Sequence, residues 1–132
     1  MYSIRPYQDS DLQTVQKWWI EQGLAPVWRA LLPLESTYIL EIDGEPALCA
    51  CLYLMNSEDA CMVENLVGNP KFKGTQRYEA VPVLFKHLEN EAKRFGYRTL
   101  VLFTYEDKLK ERYQDLGFIK TTENVTTFAK SI

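Results

Sequence analysis

The run ACMVENLVGNP at residues 60–70 decides the fold, because a β-rich stretch ends in a turn there and the periodicity of the chain changes after it. Apolar residues then recur at intervals of three and four, which predicts an amphipathic helix over about residues 79–95. The members of this stripe are Val81, Leu84, Phe85, Leu88, Ala92 and Phe95. Residues 99–104 are β-branched and apolar again. The segment therefore predicts two parallel strands joined by a helix in a right-handed crossover.

Upstream of this unit, two β-compatible runs flank the pair Asp43-Gly44. An Asp-Gly pair between such runs is a strong hairpin signal, so residues 37–42 and 45–55 predict two antiparallel strands. The polar turn at residues 56–59 separates the second run from residues 60–67. We therefore expect three consecutive strands to lie side by side before the long helix.

The N-terminal part predicts one strand and two helices. Residues 2–5 form the strand. Ser10 and Gln13 have the spacing of a capping box, with Ser10 as the N-cap of a helix over about residues 11–22. Pro26 suits the first turn of a second short helix.

The C-terminal part predicts a short helix and a pair of closing strands. Helical spacing from Leu109 ends at Gly117, which suits a helix C-terminus. Residues 118–120 and 125–128 predict a strand pair that turns at Glu123-Asn124. The full order of elements is then β-α-α-β-β-β-α-β-α-β-β.

Composition limits the class of protein. The chain has 132 residues, which is enough for one domain, and 46% of them are hydrophobic while 25% are charged, as in a soluble globular protein. The net charge of −3 argues against nucleic-acid binding through general phosphate attraction, although Lys71, Lys73 and Arg77 form a local basic segment. The sequence lacks a signal peptide and an apolar run of about 20 residues, so a cytoplasmic protein without a membrane partner is predicted.

The residue types that usually hold metals or form disulfides are few. The chain has three cysteines, Cys49, Cys51 and Cys61, an odd number without the spacing of a zinc site. We therefore expect them to be small buried hydrophobic residues and predict no metal site. His87 lies beside the apolar stripe of the long helix. It is expected to be a half-exposed helix residue rather than a catalytic one.

Three local motifs resemble those of one known family. Residues 63–70 resemble a strand with an acidic residue, aliphatics and an Asn-Pro exit. Residues 92–97 resemble the end of its long helix, and residues 113–118 resemble its Y-x-x-x-G-F motif. With the order of elements, these motifs are similar to those of the GNAT superfamily of acyl-CoA N-acyltransferases. The resemblance implies one α/β (α+β) GNAT-like domain over residues 1–132, with a mixed sheet of about six or seven strands and about four helices.

One motif departs from the family. The family's phosphate-binding signature is Q/R-x-x-G-x-G/A at the start of the long helix, where small residues let the backbone approach the coenzyme A pyrophosphate. Here only Lys73-Gly74 matches, and Tyr78 and Glu79 lie where compact residues are expected. The loop also looks two or three residues longer than usual. Because proline is tolerated mainly in a first helical turn, Pro82 predicts a helix start near residues 79–81.

The resemblance also implies a cofactor and its contacts. Acetyl-CoA would be the co-substrate, with its pantetheine arm paired to the strand backbone and its phosphates at the loop. The cofactor-binding residues that follow from this are Leu66, Val67, Lys73, Gly74, Thr75, Gln76 and Arg77.

Two side chains match catalytic positions of the family. Glu64 matches a carboxylate that acts as general base, and Tyr113 matches a tyrosine that acts as general acid on the leaving thiolate. Two alternatives stay open, a glutamate on the solvent face of its strand and a tyrosine that only packs. Many family members also carry Asn where this chain has Glu106.

Three functions remain open on the sequence. The first is transfer of an acetyl group to an amine of a small molecule or a protein. The second is a catalytically inactive GNAT-like binding or assembly module with a decayed coenzyme A site, and the third, against which the acidic charge argues, is acylation of aminoacyl-tRNA. The acceptor and the oligomeric state, a homodimer included, are left open. The small size and altered loop resemble those of some phage-encoded members, which suggests a viral source.

Overall fold

The computed structural model describes residues 1–104 and 106–132. Within them the chain forms one sheet of five strands with α-helices on both faces. In chain order the elements are β1 (Tyr2–Pro6), α1 (Leu12–Glu21), β2 (Thr37–Ile42), β3 (Glu45–Tyr53), β4 (Ala60–Gly68), α2 (Thr75–Arg94), β5 (Thr99–Val101) and α3 (Asp107–Asp115). In the described residues there is no helix long and apolar enough to cross a membrane.

The strands lie in the order of the sequence, β1-β2-β3-β4-β5. The first three pairs are antiparallel, and β4 pairs with β5 in parallel through α2. The sequence predicts each of these pairings except that of β1 with β2. The predicted hairpin is confirmed between β2 and β3. Asp43 and Gly44 both have positive φ, at 49° and 83°, which is the backbone of the two-residue turn that suits twisted strands.

Each face of the sheet has its own apolar cluster. Beneath α2, the stripe residues Leu84, Phe85 and Leu88 pack on Leu40 and Leu52, and all five are at most 2% exposed. On the opposite face, a smaller cluster beneath α1 contains Val15, Trp18, Ile39, Cys49 and Val67. Burial of one such large side chain contributes about 1.5–3 kcal/mol, so the two layers fix the sheet between them.

All three cysteines are buried and free of disulfides, which confirms that they act as small core residues. Cys49 and Cys51 lie on the α1 face of β3, while Cys61 belongs to the cluster beneath α2. Burial raises the pKa of each thiol. His87 is half-buried with its ring edge-on to Tyr38, as expected for a helix residue at the rim of the stripe.

The predicted sheet of six or seven strands is wrong, because five strands form. The predicted closing pair at residues 118–120 and 125–128 contains no strand in the described structure. Residues 119–132 are exposed throughout, so their β-branched side chains bury no common face. An isolated two-stranded hairpin without such a face is marginal in water.

The predicted second helix is also wrong. A single 3-10 turn at Arg29–Leu31 replaces it, preceded by Trp28 in an extended conformation. Trp28 is 69% exposed and Leu31 is 59% exposed. A helix gains most of its stability from packing an apolar face, and this segment packs too little of its face to support one.

The first helix is confirmed, but its predicted cap is not. The chain enters α1 through a 3-10 turn at Asp9–Asp11 whose N-cap is Gln8 rather than Ser10. The Gln8 N–H donates to Asp11 Oδ2 at 2.8 Å, and Arg5 holds the same carboxylate with two further hydrogen bonds of 2.8 Å. The ion pair to β1 therefore moves the start of the helical chain two residues upstream of the predicted cap.

Helix α2 begins at Thr75, not near residues 79–81 as Pro82 predicts. Pro82 thus lies inside the helix, where it supplies no N–H to the carbonyl four residues before it. That carbonyl belongs to Tyr78 and accepts a hydrogen bond from the Arg112 guanidinium of α3 instead. A partner that is distant in sequence thus makes the interior proline tolerable.

Candidate active site

The two edges of β4 are paired to different extents. On the β5 side, pairing covers only Ala60 to Met62, opposite Thr99 to Val101. Strand β4 continues to Gly68, and on that stretch its only strand partner among the described residues is β3. The strands therefore diverge, and the backbone of residues 63–68 borders an opening on its β5 side.

A β-bulge lies in the middle of that opening. Cys51 pairs with Glu64 and Cys49 with Val67, so Asn65 and Leu66 together face Ala50 of β3. Asn65 has a φ of 58°, in the left-handed region that asparagine tolerates better than most residues. Its side-chain amide donates to Tyr53 Oη at 2.6 Å. Bulges re-aim side chains, so this one sets the direction of Glu64 and of the chain that follows.

Glu64 is half-buried on β4. Its neighbours Cys61 and Val63 point into the core beneath α2, and alternation along the strand places Glu64 on the opposite face. Its Oε1 accepts the Asn65 N–H at 3.3 Å. Glu64 is thus neither a core residue nor a fully solvated one, and it lies where the strands part.

Tyr113 is buried on α3, where its ring contacts the rings of Phe85 and Phe118 at centroid distances of 5.6 and 5.8 Å. Burial, and to a smaller extent the negative charges of Glu64 and Glu106, raises the pKa of Tyr113 to about 12. The phenol therefore keeps its proton at neutral pH. Because the charge of Glu64 acts on this phenol, the two predicted catalytic residues lie within electrostatic range of each other, with Tyr113 packed in the cluster beneath α2 and Glu64 on the other face of β4.

The start of α2 lies at the far end of β4. Gly74 is its N-cap with a φ of 59°, a conformation that favours glycine. The first helical hydrogen bond runs from the Tyr78 N–H to the Gly74 carbonyl at 2.9 Å. The N–H groups of Thr75, Gln76 and Arg77 precede it and have no helical acceptor. Such N–H groups, with the positive end of the helix dipole, suit an anion.

Arg77 closes the gap between this helix and β4. Its Nη2 donates to the Asn69 carbonyl at 2.9 Å. A Cβ added to Gly68 would lie 2.9 Å from Arg77 Nε, so only glycine lets the guanidinium lie against the strand exit. Arg77 Nε is buried and has no hydrogen-bond partner among the described residues. A cation with an unused donor at a helix start fits a phosphate group. The sequence predicted Arg77 as a ligand but missed the role of Gly68.

The rest of the basic segment is solvent-exposed. Lys71 pairs with Glu45 at 2.7 Å, which commits its charge to the sheet edge. Lys73 is exposed. Helix α2 starts directly after Gly74, so residues 69–74 connect it to β4. Tyr78 is 59% exposed with the Arg112 guanidinium over its ring, so it does not fill the space beside Gly68.

Two surface depressions are formed by described residues. One of about 480 Å³ runs along α2 and includes Pro82 and His87. The other, of about 350 Å³, is lined by Tyr53, Leu54 and the turn that precedes β2. Neither is lined by Glu64 or Tyr113, so strand divergence and side-chain chemistry, rather than a concavity, define the candidate site. In the described residues there is no group of three His, Cys, Asp or Glu side chains that could hold a metal ion.

No protein-family model and no curated protein matches the sequence. Solved structures do match. The ribosomal-protein-S18-alanine N-acetyltransferase of Escherichia coli superposes with a TM-score of 0.75 at 21% identity, over 92% of this chain and 80% of that one. The chain has the GNAT fold.

Two further GNAT structures contain a coenzyme. A predicted acetyltransferase with acetyl-CoA from Clostridium acetobutylicum matches with a TM-score of 0.69 at 16% identity, over 97% of this chain and 96% of that one. The N-acetylglutamate synthase of Neisseria gonorrhoeae, complexed with coenzyme A and N-acetyl-glutamate, matches with a TM-score of 0.70 at 22% identity. That match covers 86% of this chain but only 28% of the synthase. None of the three supports the phage source suggested by the sequence.

Proposed function

We propose that this protein is an N-acyltransferase that moves an acetyl group from acetyl-CoA to an amine of a small molecule or a protein. The observation that carries the proposal is the open edge of β4. Along this edge lie the half-buried Glu64 carboxylate and, at the strand exit, a glycine-capped helix start with the half-buried Arg77 guanidinium. The protonated phenol of Tyr113 lies within electrostatic range of Glu64. The GNAT neighbours support it, since they include enzymes that acetylate amines.

The chain offers contacts for each part of the coenzyme. The N–H groups of residues 75–77 and the Arg77 guanidinium would hold the pyrophosphate, with Gly74 keeping the backbone accessible. The unpaired backbone of Leu66 and Val67 would hydrogen-bond the pantetheine amides as an added strand does. Lys73, exposed at the loop, would add charge. When bound, acetyl-CoA supplies a thioester carbonyl that an amine can attack.

Glu64 and Tyr113 would then manage the protons. The Glu64 carboxylate accepts a proton from the attacking amine, which frees the nitrogen lone pair for the new C–N bond. As the C–S bond breaks, Tyr113 Oη donates its proton to the departing sulfur. The raised pKa of Tyr113 keeps that proton in place until then.

The competing function is a binding module without a working coenzyme site. It is favoured by Tyr78 and Glu79 in place of compact residues of the signature and by Glu106 in place of the usual Asn. That reading expects Tyr78 or Glu79 to occupy the phosphate cleft. Both side chains are exposed instead.

A thermal shift titration with coenzyme A separates the two functions. At about 100 times its dissociation constant the ligand stabilises a protein by roughly 2.7 kcal/mol, which is several degrees for a domain of this size. We expect a saturable shift, and Arg77→Ala should weaken binding by about tenfold or more because a charged hydrogen bond is lost. Lys71→Ala is the matched control, since Lys71 already pairs with Glu45. No shift at millimolar ligand would favour the binding module.

A further inference from the structure

Helix α2 contains a carbonyl that its own helix cannot satisfy. Pro82 has no N–H, so the Tyr78 carbonyl lacks the partner that a regular helix supplies. Tyr78 lies in the first turn of α2, beside the N–H groups of residues 75–77. The defect therefore falls next to the proposed phosphate contacts.

Arg112 of α3 fills this defect from outside the helix. Its Nη2 donates to the Tyr78 carbonyl, and its guanidinium lies 3.6 Å from the centroid of the Tyr78 ring. One side chain thus makes a hydrogen bond to the backbone and a stacking contact with the same residue. Arginine suits this arrangement because its guanidinium is planar and carries several donors, whereas the lysine ammonium cannot stack in this way.

The next residue along α3 is Tyr113, whose ring packs on Phe85 of α2. Helix α3 is therefore attached to α2 at neighbouring positions, once through Arg112 and once through Tyr113. We propose that Arg112 is a positioning residue, which braces α3 against the first turn of α2 and so fixes the Tyr113 hydroxyl relative to the anion-binding start of that helix. The catalytic part of this proposal rests on the proposed function, while the brace itself does not.

Pro82→Ala provides a direct test, because it returns the missing N–H to α2. In the parent protein, Arg112→Ala should lower the folding equilibrium constant by about tenfold through the lost hydrogen bond and stacking contact. In the Pro82→Ala background the same change should cost only about threefold, since the helix then satisfies its own carbonyl. Equal penalties in the two backgrounds, within roughly twofold, would mean that Arg112 and the proline defect are not coupled and would overturn the brace.

Hydrogen exchange of α3 in the ligand-free protein tests the positioning role. Arg112→Ala should speed amide hydrogen exchange in Asp107–Asp115. Exchange there should stay fast in the double variant with Pro82→Ala, because the restored N–H does not reach α3. Arg94→Ala is the matched control, as Arg94 makes the same kind of stacking contact with Phe95 at the other end of α2. If Pro82→Ala returns α3 exchange to the parent rate, Arg112 only satisfies the carbonyl and positions nothing.

Turnover and coenzyme binding then separate this proposal from the proposed function. If Arg112 braces α3, Arg112→Ala should lower kcat, and adding Pro82→Ala should not restore it. Arg112→Lys should restore kcat only in part. Full recovery with lysine would show that charge alone is needed and would overturn the role of the planar group. If the parent protein neither binds coenzyme A nor turns over, the proposed function fails, and the stability cycle and the exchange of α3 still decide the brace.

Discussion

The two edges of β4 differ in how much of their backbone is paired with a neighbouring strand. Toward β3, pairing runs along almost the whole strand and is interrupted only by the bulge at Asn65. Toward β5, it stops after Met62. The edge toward β3, here called the sealed edge, lies in the core and fixes the fold. The edge toward β5 beyond Met62, the open edge, leaves backbone groups and Glu64 available. Paired and unpaired backbone are thus separated across the width of one strand, and substitutions on each side should have different consequences.

The largest effect should come from the sealed edge. Leu52 of β3 pairs with Val63 of β4 and is 0% exposed. Leu52→Ala should lower the free energy of unfolding by about 3 kcal/mol through lost burial and the cavity it leaves, measured by urea denaturation. Leu54→Ala is the control, because Leu54 lies just beyond the strand and is 43% exposed, so it should change stability by less than about 0.5 kcal/mol. Equal losses for both leucines would contradict the account of the sealed edge.

The next effect concerns the open side and should appear in rate rather than stability. Tyr113→Phe keeps the ring contacts with Phe85 and Phe118 but removes the proton donor. Turnover should fall by about a hundredfold with the unfolding transition nearly unchanged, because general acid catalysis typically contributes that much or more. Tyr97→Phe serves as the control, since its hydroxyl bonds the Met55 carbonyl. Unaltered turnover in Tyr113→Phe would leave Tyr113 as a packing residue.

The smallest effect lies near β1, the strand at the opposite edge of the sheet. Hydrogen bonds from Arg5, and secondarily from the Gln8 N–H, hold the pKa of Asp11 below its usual value near 3.8. A lowered carboxyl pKa stabilises the fold above the unfolded value, and this stability is lost as pH falls through the folded pKa. Asp11→Asn should therefore cost about 1–2 kcal/mol at pH 7 and progressively less below pH 4, measured by denaturation across pH.

The exposed pair between Asp43 and the N-terminal amine is the control for this prediction. Asp43→Asn should change stability little at any pH, because exposed ion pairs contribute little and asparagine also suits the turn. If Asp11→Asn lowers the free energy of unfolding as much in acid as at pH 7, the lost contacts, and not the carboxylate charge, matter there.

The sequence predicted the local features of this fold well. The Asp43-Gly44 turn and the stripe of α2 depend on neighbours that are close along the chain, and both are confirmed. The start of α2 was misplaced because Pro82 is made tolerable by Arg112, which lies 30 positions further on. The closing strands were predicted from β-branched residues alone, without a surface on which they could be buried.

The candidate site was predicted in part. The resemblance named Glu64 and Tyr113, and the fold brings them close enough for one to shift the pKa of the other. Their catalytic roles stay predictions. The position of Arg77 against Gly68 could not be predicted, because it depends on how a strand exit and a helix start approach each other in space. Predictions about the open edge therefore rest on geometry more than on motif matches.

The most direct test of acyl transfer at the open edge is thiol release from acetyl-CoA, measured with a panel of amines for the parent protein and Glu64→Gln. The variant keeps the size of the side chain and removes its ability to accept a proton. We predict amine-dependent release by the parent, a loss of about a hundredfold in the variant at neutral pH, and nearly equal coenzyme A affinity for both. Equal turnover would exclude Glu64 as the base. The absence of amine-dependent release in the parent, with every amine tested, would contradict the proposed function.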